Sequence, residues 1–396
     1  MNKNWIKNAV IYHILIDRFA GFDSSKNALE PIFLGGNIKG IIEKLPHIES
    51  LGANVIWVSP FYKNEAYHGY HITDFYSVDK HFGAEKDIKK LIDETHRLGL
   101  KIICDFVPNH VSRKHPFFVD ARNNPDSPYR EWFVFEDWPQ KYQTFLSVAE
   151  LPKLNLDHKP TMDHVLGAAR KWLGMGFDGL RLDHVVGLSN RNVSDLIEPL
   201  SKEFPNSVFI GEAWFNNAKF RELKTIRVPK KHLMWLLWRI GGRVDPMLYR
   251  NYKGLIDGVL DFKASDTLEA YANARTRRDR ARLKSRLQRR PDSREPFRTV
   301  FLDNHDMERF LFRCGGDTGR LMEAAKLQFS LSQPVIIYYG TEVGMSQKHP
   351  FSFRKMHGDI YCRQPMPWEP GRQNASLLEF YKTLVRDKLS DKLPIK

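Results

Sequence analysis

The sequence predicts an α/β protein, an eight-stranded (β/α)8 TIM barrel, on three observations. Eight short runs rich in apolar and β-branched residues alternate with amphipathic stretches long enough to be helices. That alternation is the pattern of a parallel sheet joined by right-handed crossovers. Eight such units are the number that closes a sheet into a barrel, and a long doubly wound open sheet is the alternative. Finally, acidic, basic and imidazole side chains gather at the carboxyl ends of several runs, the rim where barrel enzymes carry their chemistry.

The elements follow in order. The first strand falls at 10–16. A helix at 39–51 leads to the second strand, Asn-Val-Ile-Trp-Val-Ser at 54–59. A helix at 86–98, with Gly99 as its C-cap, precedes the third strand at 101–106. The fourth strand, 177–183, follows a helix at about 161–173, and the fifth is 207–212. A short sixth strand falls at 258–262, the seventh at 299–303 and the eighth at 334–339, with a last helix at about 376–387. One connection is out of scale. About fifty residues, 110–160, separate strand three from the next helix, and they are rich in Pro and aromatics, as in His115-Pro-Phe-Phe and Trp138-Pro. A structureless loop of that length is unusual. The segment therefore reads as a small irregular domain inserted after strand three, dividing the barrel into 1–109 and 161–396.

Composition narrows the class. With 396 residues, 42% hydrophobic and 27% charged, the chain can bury a large core and is neither disordered nor fibrous. No apolar run reaches the ~18 residues of a membrane span, and the amino terminus shows no signal-peptide core. Three widely spaced cysteines, Cys104, Cys314 and Cys362, argue against a disulfide framework or zinc cluster and fit a reducing cytoplasm. The formal charge is +14, and nine of the sixteen residues at 275–290 are Arg or Lys. A helix of that kind can bind nucleic acid. Here no aromatics are interleaved, and Leu283 and Leu287 would anchor one side, so a solvated outer face is the expectation. Nothing in the sequence sets an oligomeric state.

The chain is organised around Gly-Phe-Asp-Gly-Leu-Arg-Leu-Asp-His at 176–184. Side chains alternate along a strand, so Arg181 and Asp183 share one face and Leu180 and Leu182 the other. A strand-edge ion pair would look the same, and what matters is whether partners converge on it. Strand three ends at Asp105 and runs on to Asn109 and His110. Strand five ends in Gly-Glu-Ala-Trp, with Glu212 and Trp214, and strand seven in Asp-Asn-His-Asp, with His305 and Asp306. The loop after strand two carries Tyr67, His68, Gly69 and Tyr70. Three carboxylates, Asp183, Glu212 and Asp306, beside aromatic rings suit glycosidic-bond chemistry. One attacks the anomeric carbon while a second, kept protonated, supplies the leaving oxygen with a proton. Tyr70 and Trp214 offer flat apolar faces to a sugar ring, or pack in the core. Metal-assisted hydrolysis is the competing reading, because Asp, Glu and His also bind divalent ions. No H-E-x-x-H pair or short-spaced ligand motif supports it, and no metal ligands are assigned.

These stretches resemble the α-amylase family of glycoside hydrolases over nearly the whole chain. The match lies in 105–110, in Gly-x-Arg-x-Asp at 179–183, in Glu212 within Ile-Gly-Glu-Ala-Trp, and in Phe-Leu-Asp-Asn-His-Asp at 301–306. Tyr-His-Ile-Leu-Ile-Asp-Arg at 12–18, Leu-Pro-Lys-Leu-Asn at 151–155 and Tyr-Tyr-Gly-Thr-Glu at 338–342 support it. The resemblance implies Asp183 as nucleophile, Glu212 as general acid/base and Asp306 as transition-state stabiliser. It implies Arg181, His68, Tyr70, His110 and His305 around the sugar, and it makes the insertion the family's domain B. The implied function is retaining hydrolysis of α-1,4-glucosidic bonds in starch-like glucans or maltooligosaccharides. Transglycosylation on the same site is the alternative, and a non-catalytic sugar-binding relative is the rival from another class. Arg181 is expected to keep Asp183 ionised, and burial to hold a proton on Glu212. Three positions depart from the family's pattern: His71 stands where Asp is common, Gly187 where calcium-dependent members have His, and Lys153 where an acid is common. No cofactor, calcium included, is expected. The chain ends just past the eighth helix, so the family's C-terminal β-sandwich is not expected.

Overall fold

The computed structural model describes residues 3–214, 245–288, 296–351 and 358–390. Its strands are β1 (Val10–Ile14), β2 (Val55–Val58), β3 (Tyr62–Asn64), β4 (Ile72–Val78), β5 (Lys101–Phe106) and β6 (Phe135–Asp137). There follow β7 (Lys141–Tyr142), β8 (Gly179–Leu182), β9 (Val208–Gly211), β10 (Gly258–Leu260), β11 (Phe297–Phe301) and β12 (Val335–Tyr338). Eight of them close into a barrel in the order β1-β12-β11-β10-β9-β8-β5-β2. Closure is decided at β1, which pairs in parallel with both β2 and β12; an open sheet would leave it an edge.

Each barrel strand is buried on both faces, which is why its residues read as continuous apolar runs. Ile11, Val55, Ile103, Ile210, Phe301 and Ile336 fill the interior. Their neighbours Val10, Tyr12, Ile56, Ile102, Cys104, Leu180 and Leu182 face the surrounding helices. Gly179 opens β8 because a Cβ there would lie 2.2 Å from the Val208 carbonyl oxygen of β9. The helix Ile38–Leu51 shows the local logic of the outer ring. Asn37 accepts the Gly40 N–H at its start, and Gly52 ends it at φ 86°. Its buried stripe of Ile38, Ile41, Leu45, Ile48 and Leu51 has helical spacing and contributes about 1.5–3 kcal/mol per fully buried side chain. Gly99 adopts φ 72° just past the helix Glu85–Arg97, as a C-terminal glycine does.

The differences from expectation are local. The sixth strand stops at Leu260 because the Asp261 side chain accepts the Ala264 N–H and starts the helix Phe262–Ala272. The antiparallel pair β3–β4 was not anticipated, and the loop between its strands carries His68 and Tyr70. Segment 110–160 contains the helix Pro116–Asn123 and the hairpin β6–β7. Aromatic contacts consolidate it, Phe117 stacked on Tyr129 at 4.0 Å and Phe118 edge-on to Phe133 and Tyr142 at 4.8 Å each. Bridges from His110 to Lys153, Phe133 to Leu154 and Thr144 to Pro152 tie its early and late parts together. The arginine-rich helix runs Arg277–Gln288 with no buried residue; Arg289 and Arg290 lie outside the described residues.

Candidate active site

Arg181 is the hub. It projects inward from β8, 1% exposed, and its guanidinium reaches three carboxylates from three strands. Nη1 donates to Asp105 Oδ1 at 2.8 Å and to Asp183 Oδ1 at 2.7 Å, and Nη2 lies 3.2 Å from Glu212 Oε2. Neighbouring parallel strands, β5, β8 and β9, end at the same level, so residues far apart in sequence meet at one rim. Asp105 also accepts the Tyr70 hydroxyl at 2.7 Å. Glu212 accepts the backbone N–H of His184 at 3.0 Å. His184 reaches that position in the left-handed region, at φ 44°, a conformation uncommon for a non-glycine residue and concentrated at functional sites.

Asp306 is held from the other side. His305 Nε2 is 2.9 Å from Asp306 Oδ2, and Arg363 Nη2 donates to Asp306 Oδ1 at 2.7 Å. Arg363 also donates to the His305 carbonyl at 2.7 Å and pairs with Asp359 at 2.6 Å. The Tyr70 ring stacks on His305 at 5.2 Å and 10°, which ties the two halves together. Asp303, in the same stretch, is structural: it accepts the Phe310 N–H and the Thr341 hydroxyl, each at 2.8 Å.

Electrostatics divides the carboxylates. Burial pushes Glu212 up to about 7, against Arg181 and with help from Asp183 and Asp306. Burial also raises Asp183, and Arg181 acts against it, as expected, in favour of the ionised form. One cation serves three buried carboxyls, an imbalance that favours retaining a proton in the cluster. Asp183 takes the shorter bond from Arg181, so the proton belongs on Glu212. Burial would raise Asp306 too, but His305, then Arg363 and Arg181, outweigh it and hold this carboxyl well below the usual range.

Of the other residues singled out from sequence, His68 accepts the Tyr70 N–H at 3.2 Å and packs against His71, with centroids 5.0 Å apart. Burial, then His71, hold it well below its ordinary value. His110 sits with Asn109 and the Phe145 ring, and burial followed by His71 pushes it down to about 3. The Trp214 ring lies 5.6 Å from Phe262, against the interior cluster. Arg363 was not anticipated: it sits in irregular chain beyond β12, where no periodicity marks it. Asp105 and the His184 N–H lay inside recognised stretches, but their partners come from other strands.

Among the described residues, no group of three or more His, Cys, Asp or Glu could hold a metal ion. At the calcium position that the resemblance implies stand Gly187 and Lys153. Asn109 Oδ1 is buried with no protein partner, and a Cβ at Gly187 would come within 2.2 Å of it. Lys153 shares with them the wall of a cavity of ≈ 370 Å³. Gly187 offers no side-chain ligand and Lys153 brings a positive charge, so these two positions do not fit an ion that takes six to eight oxygens.

The family model for the α-amylase catalytic domain matches residues 13–390. The chain belongs to the α-amylase family. Alpha-amylase 2 of Dictyoglomus thermophilum is 35% identical to it over 98% of this chain and 64% of the relative. Neopullulanase 2 of Thermoactinomyces vulgaris is 30% identical over 96% and 63%. The chain thus spans somewhat less than two thirds of these α-amylase family members. Cyclic α-maltosyl-(1→6)-maltose hydrolase from Arthrobacter globiformis, in complex with cyclic α-maltosyl-(1→6)-maltose, superposes with a TM-score of 0.79 and 26% identity, covering 97% of this chain and 82% of that one.

Proposed function

We propose that the protein is a retaining glycoside hydrolase that cleaves α-1,4-glucosidic bonds in maltooligosaccharides or related glucans through a covalent glycosyl-enzyme intermediate. The observation that carries this reading is the single buried guanidinium of Arg181 joining Asp183 and Glu212, with Asp306 held ionised by His305 and Arg363. Asp183 attacks the anomeric carbon while Glu212 gives its proton to the departing oxygen. Glu212, now ionised, takes a proton from water, and that water cleaves the Asp183 ester. The fixed negative charge of Asp306 stabilises the positive charge that develops on the sugar. Maltoheptaose, pullulan, cyclodextrin, sucrose and trehalose, each incubated with the enzyme and resolved over time, test the substrate class. Turnover of none of the glucans would contradict it.

Cytoplasmic location is part of the proposal. It is supported by three buried free cysteines and by similarity to the intracellular maltogenic amylase of Bacillus subtilis, 28% identical over 96% of this chain. Among the described residues no helix is long and apolar enough to cross a membrane.

Stability is expected not to depend on calcium, because Lys153 and Gly187 stand where ligands are needed. Melting curves with and without excess EDTA should coincide. A large drop in Tm restored by Ca²⁺ would overturn this. The helix Arg277–Gln288 is expected to be a solvated outer face, with Arg280 paired to Glu323 at 2.7 Å. Fluorescence anisotropy with DNA and RNA at near-physiological salt should show no binding at micromolar protein. Tight binding lost on replacing Arg278, Arg282 and Arg286 would contradict it, since phosphate contacts dominate such affinity.

A further inference from the structure

We propose that His13 is a positioning residue of the active site, acting through an internal water that it holds against His305. His13 lies on the inner face of β1 and is fully buried. Its ring is flat against Trp57, with centroids 3.6 Å apart and planes 8° from parallel. It meets the rings of His305 and Tyr338 at 5.1 Å each. Packing alone would be served by Phe, whereas imidazole brings a donor and an acceptor. Neither His13 nitrogen has a protein hydrogen-bond partner. Three buried atoms of its surroundings share that condition: His305 Nδ1, Trp57 Nε1 and Arg181 Nε. The Arg181 guanidinium lies 5.3 Å from the Trp57 ring centre, so these atoms belong to one neighbourhood. Buried polar atoms are satisfied by protein or by ordered water, and an internal water typically makes about three such bonds.

The link to chemistry runs through Asp306. His305 presents Nε2 to Asp306 at 2.9 Å, so that nitrogen carries the proton and Nδ1 must be satisfied from the opposite side. His13 and His305 make no direct hydrogen bond, and rings spaced 5.1 Å apart can share one bridging water. That bridge fixes the plane and tautomer of His305 and, with them, the bond that holds Asp306. The groups facing His13 are His305 and Asp306 from the segment after β11, Arg309 beyond it, Arg181 from β8 and Tyr338 from β12. Burial, then His305 and Arg181, hold His13 well below its ordinary value while Asp306 pulls the other way, so the ring stays neutral and keeps one donor and one acceptor.

The inference rests on the role of Asp306 proposed above, and its test separates the two. A crystal structure of the wild-type protein is expected to show a water within about 2.6–3.2 Å of a His13 nitrogen and of His305 Nδ1. His13→Phe keeps the stacked ring without its nitrogens. It should lower kcat on maltoheptaose between about tenfold and a hundredfold, the scale of a displaced catalytic group, with KM nearly unchanged. His13→Gln, which restores a donor and an acceptor, should recover most of that loss. Absence of the bridging water, or a His13→Phe enzyme with wild-type kcat, overturns the proposal. If His13→Phe fails to fold, the water position decides alone. An Asp306→Asn enzyme with full activity would instead remove the mechanism beneath it, whereas an inactive Asp306→Asn enzyme beside a fully active His13→Phe would refute the His13 proposal only.

Discussion

Asp183→Asn is expected to abolish turnover on every substrate, by roughly 10⁴-fold or more in kcat, as loss of a nucleophile does. The amide keeps the size of the carboxylate and can still lie beside Arg181, but it cannot form the glycosyl ester. The melting temperature should hold or rise. Three carboxyls, Asp105, Asp183 and Glu212, share one guanidinium, so removing one charge relieves repulsion, and Arg181 keeps two partners. Activity assays on maltoheptaose and a thermal scan check both parts. Near-normal activity would mean that Asp183 is not the nucleophile, and a collapse in Tm would mean that its charge is structural.

Glu212→Gln should lower kcat on maltooligosaccharides by about 10²–10⁴, the usual contribution of a positioned acid. The loss should shrink on α-glucosyl fluoride, whose leaving group needs no proton. The pH dependence follows from burial. Glu212 is pushed up to about 7, and its protonated form is the one that acts. Wild-type kcat/KM should therefore fall as pH rises through that value, while the acid side is set by protonation of the Asp183 nucleophile, which burial also raises. Gln cannot titrate, so this alkaline limb should vanish in the variant. Rate–pH profiles of both enzymes on the fluoride and on maltoheptaose decide the matter. An unchanged alkaline limb would move the proton to another group.

Much of the site was legible because a barrel converts strand ends into neighbours. Once 177–183 and 207–212 read as parallel strands, Arg181, Asp183 and Glu212 had to share a rim, and the bonds from Arg181 bear that out. Sequence could not supply what depends on distance. Arg363 reaches Asp306 from a loop with no regular pattern, so no local signal marked it. His13 sat inside a run that reads simply as an apolar strand. Its place on the same face as Ile11 was the available cue, since a polar ring on an inward position needs partners. The β3–β4 pair was missed because the chain from 61 to 78 mixes aromatic, polar and charged residues without clean alternation. Tertiary contacts, such as Tyr70 to Asp105, hold that hairpin in place.

The central claim is double displacement on Asp183, and proton NMR of the first-formed product tests it most directly. Two inversions leave the anomeric configuration as it began, whereas a direct attack by water inverts it. Spectra recorded within minutes of adding enzyme to maltoheptaose, before mutarotation, should show the α-anomer of the new reducing end accumulating first. A first-formed β-anomer would contradict the account.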